Sequence, residues 1–190
     1  MLQLYKAHAI LKSDKECRTN DYSNVEQALF DTGMGKESGM KAIIIYESTH
    51  HGNTRKLVDA VAGKYGIETA AVEEVSGTDL SDYDLIGVAS GVAFGKFYEA
   101  SERFVEESLP EGKTVFFLYT CGNDTGKYAN SVRARAEAKG CRVAGTYGCR
   151  GFDTFGPFRL IGGIAKGHPT QEEIDGAVRF YGSLIASISQ

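Results

Sequence analysis

The chain has 190 residues, 42% of them apolar and 24% charged, with a formal net charge of −4. That length supports one sizeable core, and a mildly acidic balance with no long basic run argues against nucleic acid as a partner. No apolar run is long enough to span a membrane, and the four cysteines (Cys17, Cys121, Cys141, Cys149) form no CxxC pair, so reduced thiols in a cytoplasmic setting are expected rather than a disulfide framework, a metal site or a membrane anchor.

Residues 1–39 carry scattered apolar side chains and end in Gly33, Gly35 and Gly39. They read as an N-terminal extension, disordered or loosely docked, ahead of a domain over 40–190; the alternative is a regulatory or dimerising arm. Ala42 to Tyr46 is a continuous apolar run rich in β-branched residues, the pattern of a strand buried on both faces. A helix over Thr54–Lys64 follows, with Leu57, Val58, Val61 and Tyr65 on one face and Gly66 as its stop. Ile67–Val75 fits an edge strand, and Leu85–Ala89 a second buried strand. Tyr98–Leu109 has helical spacing and is closed by Pro110. Thr114–Tyr119 reads as a strand, Asp124–Lys139 as a helix ended by Gly140, and Arg142–Tyr147 as a fifth strand. Ile174, Ala177, Val178, Tyr181, Leu184, Ile185 and Ile188 mark a final amphipathic helix, started at Thr170 ahead of Glu172 and Glu173.

Strands alternating with helices imply an α/β fold: a five-stranded parallel sheet, helices on both faces, right-handed crossovers, and strand order 2-1-3-4-5. In that order the winding reverses beside the first strand, and ligands sit beyond the C-terminal strand ends at that point. The loops gathered there are Glu47–Thr54, Ser90–Tyr98 and Thr120–Tyr128. The first contains Ser48-Thr49-His50-His51-Gly52-Asn53-Thr54. A helix start presents unpaired N–H groups and about half a positive charge, to which Ser48, Thr49, Asn53 and Thr54 add donors. Gly52 permits a tight turn or a close backbone approach. The natural guest is a phosphate. Neither GxxxxGK[ST] nor GxGxxG is present, and hydroxyls in place of glycines and lysine suit a single terminal phosphomonoester. His50 and His51 read as a phosphate-facing or solvated pair.

Strand, STHHGNT loop and helix together resemble the first βα unit of flavodoxins, whose loop commonly reads [ST]xTGxT and holds the 5′-phosphate of FMN. This chain has one residue more, with His50-His51 where the family usually has one threonine. Thr120-Cys121-Gly122-Asn123-Asp124-Thr125-Gly126-Lys127-Tyr128 resembles the family's GxGDxxGY segment, again with one extra residue. The resemblance implies that backbone from Thr120 to Asn123 meets the pyrimidine edge of the flavin and that Tyr128 stacks on the ring; a core position on the helix face is the alternative for Tyr128. Between them, Ser90-Gly91-Val92-Ala93-Phe94-Gly95 offers backbone at Gly91 and Gly95 close to a ring, and Val92 and Phe94 to pack its dimethylbenzene edge. Cys121 reads as small packing at the pocket.

Two departures stand out. The chain has no tryptophan, and Gly91 stands where many flavodoxins place a ring-covering one. Asn123 replaces a frequent acid, and the net charge is far from the strongly acidic family norm. Fewer negative charges destabilise a reduced, anionic flavin less, which raises its potential. Gly148–Pro169 is longer than most connecting loops and rich in aromatic and basic residues (Arg150, Phe152, Phe155, Phe158, Lys166), suited to covering the flavin or meeting a partner. The resemblance implies an FMN protein carrying electrons between redox partner proteins, as a monomer or weak dimer. The alternatives are an FMN-dependent NAD(P)H:quinone-type reductase on the same fold, and a non-redox interaction module that kept the fold.

Overall fold

Five parallel strands lie side by side in a computed structural model that describes residues 39–75 and 77–189. Apart from Gly39, the extension expected over 1–39 lies outside the described residues. In chain order the elements are β1 (Ala42–Glu47), α1 (Asn53–Tyr65), β2 (Glu68–Ala71), β3 (Leu85–Ala93), β4 (Lys96–Phe97), α2 (Glu99–Arg103), β5 (Thr114–Cys121), α3 (Asn130–Ala138), β6 (Arg142–Arg150) and α4 (Gln171–Ile188). The sheet order is β2-β1-β3-β5-β6, and the two-residue β4 pairs only with the far end of β3. With that short strand set aside, the order is the one expected from the sequence.

The sheet is covered on both faces because the middles of its central strands are apolar on both sides. Ile43 and Ile45 of β1 point to one face and Ile44 to the other, as the period of two requires. Phe104, Val105, Leu109, Val132 and Ala136 cover the first face. Leu57, Val58 and Val61 of α1 and Ala177, Tyr181 and Leu184 of α4 cover the second. The three α1 residues are fully buried, each contributing roughly 1.5–3 kcal/mol of transfer free energy. α4 starts as its sequence indicates: Thr170 Oγ1 accepts from the Glu173 N–H at 3.3 Å, and the Glu173 carboxylate accepts from the Thr170 N–H at 2.6 Å.

Several boundaries differ from the sequence reading. The edge strand expected over Ile67–Val75 is confined to Glu68–Ala71, with a 3-10 turn over Val72–Glu74 after it, and the strand expected over Arg142–Tyr147 runs on to Arg150 beside β5. Three further differences have a local reason. β3 does not end at Ala89. It runs on to Ala93 and folds back as a hairpin, with Val92 opposite Phe97 and Ala93 opposite Lys96. The helix expected from Asp124 begins only at Asn130, because the Asp124 carboxylate accepts from the Gly126 N–H at 2.8 Å and from the Tyr119 hydroxyl at 2.7 Å, holding a turn there. The helix over Tyr98–Leu109 changes after Arg103 into a π-helical turn, Phe104–Ser108, with the Leu109 N–H donating to the Phe104 carbonyl. No helix among the described residues is long and apolar enough to cross a membrane.

Candidate functional site

Beyond the C-terminal ends of β1, β3 and β5 lies a cavity of about 380 Å³. Its floor comes from the loop that joins β1 to α1. His51 and Gly52 both take left-handed backbone (φ 57° and 65°), which turns the chain sharply into α1. Gly52 caps that helix without a side-chain hydrogen bond, and the first turn holds no acidic residue, so no carboxylate of its own neutralises the positive helix end. Ser48 Oγ accepts from the Arg55 N–H at 3.1 Å, which aims the loop across the helix start. The Thr54 and Thr120 hydroxyls meet at 2.8 Å and tie this loop to the end of β5.

Asn53 is the most informative side chain here. It is only 6% exposed. Its Nδ2 donates to the Phe152 carbonyl at 2.8 Å, which fixes the orientation of the amide, since the opposite one would set oxygen against oxygen. Its Oδ1, buried in the cavity wall, has no hydrogen-bond partner among the described residues. An orphaned buried acceptor costs about 1–3 kcal/mol unless a ligand or a water supplies a donor.

The two histidines brace the segment after β6. His50 Nε2 accepts from the Thr154 N–H at 3.1 Å, which makes it the unprotonated ring nitrogen; in that tautomer the 3.5 Å approach of Asp153 Oδ1 is a contact and not an ion pair. His51 lies against the Phe152 ring with centroids 4.6 Å apart, and its Nε2 is 2.9 Å from Thr154 Oγ1. Asp153 Oδ1 in turn accepts from the Phe155 N–H at 2.7 Å.

The β3–β4 hairpin forms a second wall. Buried Ser90 pins it, its hydroxyl donating to the Gly91 carbonyl at 2.8 Å and accepting from the Tyr98 N–H at 3.1 Å. A Cβ on Gly91 would fall 2.5 Å from the Tyr98 ring, so glycine is what allows that ring to lie on the strand. Burial raises the Tyr98 phenol, opposed by a hydrogen bond with Thr49. At the tip Phe94 takes φ 52°, is 88% exposed, and meets Phe155 edge-on with centroids 5.5 Å apart.

Of the residues singled out in the sequence, Ser48, Thr49, His50, Asn53, Thr54, Gly91, Val92, Phe94, Thr120, Cys121 and Gly122 line the cavity. His51, Gly52, Ser90 and Gly95 belong to the same loops but do not line it. Asn123 and Tyr128 are not brought to it: the Tyr128 hydroxyl donates to the Asn123 carbonyl at 2.8 Å, and the Tyr128 ring packs edge-on against Tyr119. Burial, with the charge of Asp124, pushes the Cys121 thiol up to about 12, which suits packing. Tyr98, Gly151, Asp153 and Pro157 also line the cavity and were not foreseen. Tyr98 read as one more apolar position of a helix. Asp153 stands in a segment flagged for its aromatic and basic residues, where one acid gave no signal.

Comparison with known proteins fits this geometry. A family model described as a flavodoxin domain matches residues 43–148. The chain belongs to the flavodoxin family. An uncharacterized protein of Methanocaldococcus jannaschii is 33% identical over 148 residues, 77% of this chain and 99% of that protein. Among solved structures, a flavodoxin from the domain Archaea superposes with a TM-score of 0.58 at 18% identity, covering 80% of this chain and all of that one. Two-electron reduced Megasphaera elsdenii flavodoxin does so with 0.52 at 19%, covering 72% and 97%. At such identities these two superpositions speak for the fold alone. Membership of the flavodoxin family implies a flavin cofactor, and the cavity lies where a sheet of this order binds its ligands.

Proposed function

We propose that this flavodoxin-family chain binds FMN in the cavity and carries electrons between redox partner proteins. The observation that carries the reading is the unpartnered, buried Oδ1 of Asn53 at the start of α1. A phosphate dianion offers only acceptors, but the hydroxyl-bearing chain of FMN offers donors, so Asn53 suits that chain while the α1 terminus and the Ser48 and Thr49 hydroxyls suit the phosphate. Backbone from Gly91 to Phe94 and from Thr120 to Gly122 would border the ring. The flavin, when bound, supplies the one- and two-electron chemistry. The protein's share is to hold it, to keep water from one side with Tyr98 and Phe152, and to set the nearby charge through Asp153.

A second reading, an FMN-dependent NAD(P)H:quinone-type reductase, is favoured by Phe155 and Phe158, which place two aromatic rings at the cavity mouth where a flat quinone would stack. An anaerobic titration of the purified protein with FMN, followed by reductants, separates the readings. A shifted visible spectrum and quenched flavin fluorescence are expected, with reduction through a separate flavoprotein reductase. Direct, rapid consumption of NADH or NADPH with a quinone would favour the reductase, and failure to take up FMN would remove both.

A further inference from the structure

All five exposed large hydrophobic side chains among the described residues lie at the cavity mouth or run on from it: Phe94 (88% exposed), Phe155 (57%), Phe158 (36%), Leu160 (89%) and Ile161 (70%). Phe94 sits on the hairpin tip and the other four on the segment after β6, and the Phe94–Phe155 contact joins the two. A concentration of exposed apolar side chains on two joined segments marks a place of contact. The backbone of Phe94 supports this. A non-glycine residue in the left-handed region is strained, and here the strain holds a phenylalanine out in water.

The charges within the two segments that carry this surface are of one sign. Residues 93–97 and 155–167 contain Lys96, Arg159 and Lys166 and no aspartate or glutamate, in a chain whose net charge is −4. All three cations are exposed, and none is ion-paired with a described residue. Of the acids that flank the two segments, Asp153 is turned inward onto the Phe155 N–H and towards His50, and Glu99 is paired with Arg103. The molecule thus carries a local positive face on a negative body. An acidic protein is repelled by the body and drawn to this face, which fixes its orientation as well as its approach.

We infer that Phe94, Phe155, Phe158, Leu160 and Ile161, rimmed by Lys96, Arg159 and Lys166, form the docking surface for a redox protein whose own face is apolar at its centre and acidic at its rim. This rests on the electron-carrier reading for its purpose, but the surface can be tested without a flavin. The probe is an acidic [2Fe–2S] ferredoxin, titrated by calorimetry into the full-length protein with and without FMN; a basic cytochrome c is the control. Binding of the ferredoxin and not of the cytochrome is expected, weakened at least about tenfold when salt rises from about 0.01 M to about 1 M. The Lys96→Glu/Arg159→Glu/Lys166→Glu variant should lose ferredoxin binding while its FMN affinity, read separately by fluorescence, stays the same. The inference is overturned if the ferredoxin does not bind, if the cytochrome binds in its place, or if the triple variant binds as well as the parent. It is equally overturned if sedimentation shows a dimer that Leu160→Asp dissociates, because the face is then covered by a second copy. Loss of FMN uptake with ferredoxin binding intact would count against the cofactor reading alone.

Discussion

Asn53 donates its side-chain amide to the Phe152 carbonyl at 2.8 Å and so joins the first residue of α1 to a segment 99 positions further on. The same side chain carries the unpartnered Oδ1. Asn53→Ala is expected to cost about 1–3 kcal/mol of stability and to weaken FMN binding about tenfold. Asn53→Asp, though of the same shape, should be worse, because a carboxylate there faces the Phe152 carbonyl. Thermal unfolding with and without FMN, together with a fluorescence titration, measures both effects; variants as stable and as tightly binding as the parent would refute the role given to this side chain.

Gly148 on β6 lies under the Tyr119 ring so closely that a Cβ would enter it. Tyr119 cannot swing away easily, since its hydroxyl is held by Asp124. Gly148→Ala should therefore destabilise by about 1–3 kcal/mol, and combining it with Tyr119→Leu should recover part of the loss. Chemical denaturation of the two single variants and the double variant gives the coupling directly.

Burial, with nearby acidic groups, pushes the thiols of Cys121 and Cys149 up to about 12. Both should stay unmodified by iodoacetamide at mildly alkaline pH in the folded protein and react once it is unfolded. Peptide mapping by mass spectrometry reads each cysteine separately, and prompt labelling of Cys121 in the native protein would contradict its assignment as packing.

Burial acts to raise the carboxyl of Glu173, but the Thr170 N–H and the His168 ring outweigh it and hold the group below its ordinary 4.5. A lowered value in the folded state means that the stabilisation is fully present above the unfolded value and is lost as pH falls through the folded one. Melting temperature should thus fall below about pH 4.5, and Glu173→Gln should flatten that limb; equal acid slopes in parent and variant would rule it out.

Asp153 is an acidic group in the cavity wall, next to the proposed flavin. Asp153→Asn should raise the midpoint potential of bound FMN, by on the order of 30 mV for a tenfold change in a two-electron couple. A spectroelectrochemical titration that finds the potential unchanged or lowered would show that this carboxylate does not face the ring.

The sequence made the architecture legible because its signals were local. The apolar runs of β1, β3 and β5 have no polar face, and Gly66 and Thr170 mark helix boundaries by their own chemistry. The hydroxyls of Ser48, Thr49 and Thr54 likewise pointed to the helix start at which the three residues line the cavity. The hairpin after Ala89 was not legible, because its pairing depends on Phe97 returning beside Val92, and Ser90 holds it through a hydrogen bond eight residues away. Nor was the role of the His50-His51 insertion, whose partners Phe152 and Thr154 stand about a hundred positions later. Tyr128 shows the opposite failure: its spacing matched a stacking residue, and the turn held by Asp124 carries it to the Asn123 carbonyl instead.

The continuation of β3 into the hairpin has one more consequence. Val92 and Ala93 pair with Phe97 and Lys96 in direct continuation of the buried strand beneath them, so this side of the cavity rim is braced by the sheet. A rim of that kind has little to rearrange when a charge arrives or departs. If electrons cross this rim as proposed, the reorganisation energy of the exchange is set mainly by solvent and by the visiting molecule, and its speed by separation rather than by the opening of a gate.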